Sequence, residues 1–171
     1  MKKFTFGTPE KLVPSYFCDG FAYTETDVKF PADRFTFKKN ARGCTVEFPL
    51  EDDCQIFGFG LQLKQFNHRG RKLRMDVNAD PVTNNGESHA PVPFFVTNKG
   101  WGIYVDTARY AEFYCGNQMN PSYGGSSAVH PVQADAETNT PADNTDDLYA
   151  LRELSGQVMT IQIPGCEGVD I

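Results

Sequence analysis

Residues 57–64 read Phe-Gly-Phe-Gly-Leu-Gln-Leu-Lys, with an apolar side chain at every second position. Because side chains point alternately to the two sides of a β-strand, this period predicts a strand with one buried face. The buried face would carry Phe57, Phe59, Leu61 and Leu63. The stretch therefore favours a β-sheet that covers a hydrophobic core on one side.

A second strand is predicted after the tight turn at residues 67–70. Leu73, Met75 and Val77 alternate there with polar residues, so all three are expected to face the core. The segment 78–89 that follows is rich in hydrogen-bonding side chains. Loops held by a rigid sheet often carry binding residues, which makes this segment the first place to look for function.

The remainder of the chain adds short apolar runs of the same kind and no convincing helix. The clearest alternations lie at residues 44–48 and 158–163. Residues 116–147 are polar and acidic, and are expected to form a surface excursion. The other predicted strands are residues 3–6, 28–30, 34–37, 93–96, 102–105 and 148–154, with turns at 98–100 and 155–157. This pattern predicts a single all-β domain over residues 1–171, an antiparallel β-sandwich with little helix.

Charge and hydropathy exclude several classes of partner. The net charge is −6 and there is no basic block, so no nucleic-acid partner is expected. The densest basic cluster, residues 69–74, is predicted to be a solvated strand face, with an acidic partner groove as the alternative. No run approaches the roughly 20 apolar residues that span a bilayer. The first residues lack a signal-peptide core, which favours a cytoplasmic location, or a periplasmic one if a signal peptide was removed.

The cysteines and the acidic residues do not predict a metal or cofactor site. The 5 cysteines include no Cys-x-x-Cys, and Cys44, Cys54 and Cys115 lie in apolar runs typical of buried free thiols. Residues 76–87 imitate a calcium-binding EF-hand loop, with Asp, Asn, Asp and Glu at its first, third, fifth and twelfth positions. Pro81 occupies the sixth position, where the sharp turn of that loop requires glycine. We therefore expect no metal and no cofactor.

Four motifs in a fixed order resemble the N-terminal β-sandwich domain of family 31 glycoside hydrolases. They are Gly58-Phe59-Gly60, Arg69-Gly70, the Pro-Val-Pro-Phe-Phe of residues 91–95 and the Gly-Trp-Gly-Ile-Tyr-Val-Asp of residues 100–106. The resemblance implies a galactose-mutarotase-like fold of the supersandwich type. Family members are α-glycosidases and include α-glucosidases, α-xylosidases and α-galactosidases. Many of them carry glutamate where this chain has Leu61.

The resemblance also implies that the chemistry lies elsewhere in the parent enzyme. In the family, the catalytic aspartates belong to a (β/α)8 barrel that follows the sandwich, and such a barrel needs about 250 residues. The chain has 171 residues, and Trp101 is followed by Gly102 and Ile103 rather than forming the Trp-x-Asp motif of the family's nucleophile strand. We therefore expect no catalytic residue and no glycosidase activity in this chain alone. The implied partners are the barrel of the same parent chain and its carbohydrate substrate.

By position, the segment 78–89 corresponds to a loop that family members pass over the rim of the barrel, at the leaving-group subsite. The candidate substrate-binding residues are Asn78, Asp80, Glu87, His89 and, in the other polar turn, His68 as a neutral imidazole beside Arg69. Residues 84–86 favour a plain turn, whereas turn formation and sugar binding both stay open for Asn78, Asp80 and His89. Trp101 is expected to be a core aromatic, with a sugar-stacking platform as the alternative. The alternative function is a freestanding carbohydrate-binding or protein-interaction β-sandwich module.

Overall fold

The computed structural model describes residues 2–10, 30, 32–82, 85–116 and 158–171. Within these ranges the chain forms strands and one 3-10 turn at Ala32–Arg34, and no α-helix. The strands are β1 (Thr5–Thr8), β2 (Thr36–Asn40), β3 (Gly43–Pro49), β4 (Ile56–Gly60), β5 (Lys72–Met75), β6 (Pro91–Thr97), β7 (Gly102–Tyr104), β8 (Ala111–Cys115), β9 (Val158–Pro164) and β10 (Glu167–Asp170). The predicted strand at 148–154, the turn at 155–157, residues 28–29 and the surface excursion beyond residue 116 lie outside the described residues.

Two antiparallel sheets form the sandwich. The larger has the strand order β2-β3-β9-β8-β5, and the smaller has the order β4-β6-β7. A separate ribbon pairs β1 with β10, the first and last strands. The prediction of an all-β antiparallel sandwich is confirmed. Every strand pair is antiparallel, and most of the described strands lie in one of the two sheets.

Aromatic rings join the two sheets at the centre of the core. Phe113 of the larger sheet contacts Phe59 and Phe95 of the smaller one, with ring centroids 4.9 and 6.3 Å apart. Trp101 packs edge-on against Phe30 and Phe48, at 4.8 and 6.1 Å. Edge-to-face rings of this kind stabilise a core beyond the area that they bury. Trp101 is therefore a core aromatic in the folded domain.

The predicted strand at residues 57–64 is shorter than expected and is interrupted by a bulge. The register with β6 shifts between Gly58 and Gly60, and Phe59 has a φ of 63°. Because a bulge inserts one residue into the alternation, Ile56 and Phe59 both become fully buried, while Phe57 turns to the outside and is only half-buried. The predicted burial of Leu61 and Leu63 is wrong, since β4 ends at Gly60 and these side chains are 48% and 72% exposed.

The second strand also ends earlier than its apolar pattern suggests. Leu73 and Met75 are buried as predicted, whereas Val77 is 71% exposed. The ladder between β5 and β8 stops at the pair Met75 and Ala111, and the chain then turns away from the larger sheet. The prediction for Val77 is therefore wrong because the strand that would have directed it inward has already ended.

Elsewhere the alternation predicts the core correctly. Cys44, Val46 and Phe48 of β3 are buried, and so are Met159, Ile161 and Ile163 of β9. The thiols of Cys54 and Cys115 are also buried and unbonded, as predicted, and Cys166 joins them. In the basic cluster, Lys72 and Arg74 lie on the exposed side of β5, where they form ion pairs with Glu112 and Asp76.

Candidate functional site

The polar loop, residues 76–90, connects β5 of the larger sheet to β6 of the smaller one. Its two arms are held together at the base by backbone hydrogen bonds. The N–H of Asn78 donates to the carbonyl of Ser88 at 2.9 Å, and the N–H of Ser88 donates to the carbonyl of Asp76 at 3.2 Å. These bonds form an isolated parallel bridge between Val77 and Ser88. The loop thus leaves the sandwich as a closed structure rather than an open strand.

The returning arm of the polar loop is also bonded to β5 and to the segment that follows β4. The carbonyl of Asn85 accepts a hydrogen bond from the N–H of Arg74 at 2.7 Å. The carbonyl of Gly86 accepts one from the amide of Gln62 at 3.0 Å. Gly86 has a φ of +97°, and a Cβ there would lie 2.7 Å from the backbone nitrogen of Arg74. Glycine is therefore required for the loop to lie this close to β5.

Three of the polar side chains bond to one another. The amide of Asn78 donates to one carboxylate oxygen of Glu87 at 2.9 Å, and the amide of Asn85 donates to the other at 2.8 Å. The side-chain oxygen of Asn78 accepts the N–H of Asp80, as in an Asx turn. The hydrogen bonds from Asn78 and then Asn85 lower the pKa of Glu87, because they stabilise its charged form. This arrangement assigns Asn78 and Glu87 to holding the shape of the loop.

Asp80 and His89 project from the loop instead. Both residues are exposed, and within the described residues neither side chain forms a hydrogen bond or an ion pair. Val82, two residues after Asp80, is 79% exposed. A carboxylate and an imidazole on an anchored loop can together accept and donate hydrogen bonds to a polyhydroxylated ligand.

His68 lies apart from the polar loop, in the core beneath β4. It is 1% exposed, and its ring meets Phe59 edge-on at 5.4 Å. Burial, and to a smaller extent the charge of Arg71, lowers the pKa of His68. The imidazole is thus neutral, as predicted from the sequence, although burial rather than Arg69 is the main cause. Since its side chain has no surface for a substrate to touch, the correction is that His68 packs the core instead of contacting a ligand.

A second feature is an apolar surface whose residues were not located from the sequence. The side of the smaller sheet that faces away from the core carries an outer apolar face, defined by Phe57, Phe66, Val92, Phe94 and Val96. Phe66 is 80% exposed, the last three are each 40–42% exposed, and the rings of Phe57 and Phe66 contact each other at 4.9 Å. The signal was present in β6, where apolar residues fill both alternating positions, a pattern typical of a strand covered on both sides.

The described part of the chain shows neither a metal site nor a membrane-spanning helix. No three His, Cys, Asp or Glu side chains among the described residues lie close enough to share a metal ion. No helix in the same residues is long and apolar enough to cross a membrane.

A family model described as the glycosyl hydrolase 31 N-terminal galactose mutarotase-like domain matches residues 5–113. The chain belongs to this family. The matched range covers β1 to β8 up to Phe113, and so includes the bulge, the polar loop and the outer apolar face. The chain accordingly contains a domain of the galactose mutarotase-like type found in the N-terminal part of GH31 enzymes.

A solved structure of a GH31 enzyme shares this fold. The GH31 dextranase of Flavobacterium johnsoniae, complexed with glucose, is 18% identical with a TM-score of 0.51, and the match covers 78% of this chain and 12% of that one. The cycloalternan-forming enzyme of Listeria monocytogenes, in complex with a pentasaccharide substrate, is 15% identical with a TM-score of 0.49, over 81% of this chain and 11% of that one. This GH31 domain thus spans about an eighth of the length of these enzymes. No curated protein sequence matches it.

Proposed function

We propose that this domain is the non-catalytic N-terminal part of an α-glycosidase, where it supports the catalytic barrel and presents the polar loop at the substrate entrance. The observation that carries the proposal is the anchored polar loop in a domain of the GH31 N-terminal family. The loop is closed at its base and bonded to β5 and to the segment that follows β4, yet exposes Asp80 and His89. A loop that is held in place while its polar tips are exposed can orient a sugar in a neighbouring active site.

The division of roles within the loop follows from its hydrogen bonds. Asn78 and Glu87 hold the loop in shape, and Asp80 and His89 contact the sugar that occupies the leaving-group subsite of the barrel. Their task is to position the substrate, with no part in bond cleavage. Each neutral hydrogen bond of this kind contributes about 0.5–1.5 kcal/mol, and more when one partner is charged.

The outer apolar face supports the docking part of the proposal. Five large apolar side chains on one side of a three-stranded sheet form a patch of the kind that marks an interaction site. Contacts between domains of one chain bury about 600–1,500 Å². The catalytic barrel of the parent chain is the proposed occupant of this face.

The loop is tested in the parent enzyme with Asp80→Ala and His89→Ala. Each change is expected to lower kcat/KM for an α-linked disaccharide by about one order of magnitude, since about 1.4 kcal/mol is tenfold. The loss should be smaller for a nitrophenyl α-glycoside, whose leaving group reaches fewer of these contacts. Asp33→Ala, an exposed carboxylate in the 3-10 turn, is the control and should leave both substrates unaffected. Equal losses on both substrates, or a lower Tm, would show that Asp80 and His89 are structural.

The docking face is tested with the chain of 171 residues by itself. Without a barrel, it is expected to self-associate at high concentration in analytical ultracentrifugation, and a Phe66→Ser, Phe94→Ser double variant should be monomeric. Val77→Ser removes a 71% exposed apolar side chain from outside the face and serves as the control. A strictly monomeric wild-type domain would contradict the docking role.

The same protein distinguishes a domain of a larger enzyme from a freestanding module. Titration calorimetry with glucose and an α-linked disaccharide is expected to detect weak binding at most, because the barrel half of the pocket is missing. The isolated chain is also expected not to release nitrophenol from α-glycosides above a heat-inactivated control. Tight sugar binding by the isolated chain would favour the carbohydrate-binding module instead.

A further inference from the structure

Two cysteines that are far apart in the sequence meet at one end of the sandwich. The Sγ atoms of Cys44 and Cys166 are 2.7 Å apart, although 122 positions separate the two residues. Cys44 is near the start of β3, and Cys166 lies in the turn between β9 and β10. Because Cys44 pairs with Ile163 across the sheet, this turn brings Cys166 back over Cys44. Both residues are buried, with 3% and 5% of their surface exposed.

We propose that Cys44 and Cys166 are an oxidation site, at which a small-molecule disulfide such as oxidised glutathione converts the two thiols into an intramolecular disulfide. The bonded distance is 2.03–2.05 Å, so the two sulfurs need to approach by less than about 1 Å. Within the described residues, Cys54 and Cys115 have no second sulfur in contact, which makes them matched controls in the same core.

A cation lies next to one of the two thiols. The guanidinium of Arg109 packs over Gly165, where an added Cβ would lie 2.7 Å from its Nη1 atom. The pKa of Arg109 is raised, mainly by its hydrogen bond to Glu10. A neighbouring guanidinium stabilises a thiolate. Because this guanidinium lies over Gly165, the chain neighbour of Cys166, we assign Cys166 as the first nucleophile and Cys44 as the second.

The disulfide forms in two thiol–disulfide exchange steps. The thiolate of Cys166 attacks one sulfur of oxidised glutathione, forms a mixed disulfide and releases one glutathione thiolate. Cys44 loses its proton to solvent and attacks the sulfur of Cys166, which forms the Cys44–Cys166 bond and releases the second glutathione. The cysteines lose two electrons and two protons, and the two electrons reduce the oxidant to two thiols. Access requires the turn at residues 164–166 to open, which breaks the hydrogen bond from the N–H of Gly165 to the carbonyl of Arg42. The strand beyond the turn pairs with β1 and is bridged to Asp106.

The bond would close a loop over most of the chain. A cross-link between distant positions restricts the unfolded state more than the folded one, so the oxidised domain should be more stable. It would also tie the β1–β10 ribbon to the larger sheet through β3. For a domain of this size we expect Tm to rise by about 5 °C or more on oxidation.

The experiment compares the chain of 171 residues after treatment with oxidised glutathione and after full reduction. The denatured protein is expected to titrate 3 thiols after oxidation instead of its 5, and to lose the mass of two hydrogen atoms without gaining glutathione. Proteolysis after Glu47 separates Cys44 from Cys54, so mass spectrometry should identify a Cys44–Cys166 peptide. Cys54→Ser and Cys115→Ser should retain the cross-link, and Cys44→Ser and Cys166→Ser should lose it together with the rise in Tm.

Arg109→Gln should slow formation of the cross-link several-fold without preventing it, because only the cation beside Cys166 is removed. The number of free thiols is measured on the wild-type protein, so the proposal is tested even if a variant fails to fold. Five thiols after prolonged oxidation of the folded protein would overturn the proposal. A cross-link that forms with Cys18, Cys54 or Cys115 as readily as between the proposed pair would also overturn it.

Discussion

Because of the bulge in β4, truncating Phe59 and truncating Phe57 should have different effects on stability. Phe59 is fully buried and its ring contacts Phe113, Phe95 and His68 at 4.9, 5.3 and 5.4 Å. Truncating such a side chain to alanine costs about 3–5 kcal/mol, because its contacts are lost and a cavity is left. Phe57 is on the opposite side of the sheet, where it contacts mainly the exposed Phe66. Its truncation should cost about 1 kcal/mol or less.

Urea denaturation of the chain of 171 residues measures both changes. With an m-value of about 1–3 kcal/mol/M, Phe59→Ala should lower the midpoint by roughly 2 M, and Phe57→Ala by less than about 0.5 M. Strict alternation along residues 57–64 would bury both rings alike and make the two losses equal. Equal midpoints for the two variants would therefore refute the bulge and the placement of Phe57 on the outer apolar face.

The left-handed backbone at Phe59 predicts that glycine is at least as stable as alanine at this position, which is the reverse of the usual order. At an ordinary strand position glycine is less stable than alanine by about 0.5–1 kcal/mol. Phe59 has a φ of 63°, a left-handed conformation that costs a residue with a Cβ about 1–2 kcal/mol. Phe59→Gly should therefore be as stable as Phe59→Ala or up to about 1 kcal/mol more stable. A glycine variant that is clearly less stable than the alanine variant would show that this backbone conformation is wrong.

Two further predictions concern the pH dependence of stability and the base of the polar loop. Because burial lowers the pKa of His68 below its ordinary 6.5, the unfolded chain binds a proton that the folded protein does not. The free energy of unfolding should therefore be highest above pH 6.5 and fall below pH 6.5 by at most about 1.4 kcal/mol per pH unit. Urea midpoints of His68→Gln should lack this pH dependence. Parallel pH profiles for the variant and the wild-type protein would contradict the prediction. Gly86→Ala should lower Tm by several degrees more than Gly70→Ala. Both glycines have a positive φ, but only at Gly86 would the new Cβ meet backbone atoms, which belong to Arg74. Equal Tm values for the two alanine variants would show that the loop does not lie against β5.

The sequence by itself determined the fold class and much of the core. The alternation of Cys44, Val46 and Phe48, and of Met159 and Ile163, predicts buried positions correctly because the side-chain period of a strand is a local property. The order of the Gly-Phe-Gly, Pro-Phe-Phe and Gly-Trp-Gly motifs indicated the family by resemblance, and the family model that matches residues 5–113 confirms it.

Only the tertiary structure decided where that alternation is broken. Phe59 is buried and Phe57 faces outward because the register with β6 shifts, and β6 is more than 30 residues away in the chain. Val77 is exposed because the ladder between β5 and β8 has ended, which depends on the partner strand rather than on the apolar pattern of β5 itself.

The candidate sites depended still more on long-range contacts. The segment 78–89 was identified from its polar composition, but only the folded loop shows that Asn78 and Glu87 bond to each other while Asp80 and His89 remain exposed. The pairing of Cys44 with Cys166 has no sequence signal at all, because a contact across 122 positions is created by strand pairing. Local periodicity determines which way a side chain points within its strand, and the packing of distant strands determines what it meets there.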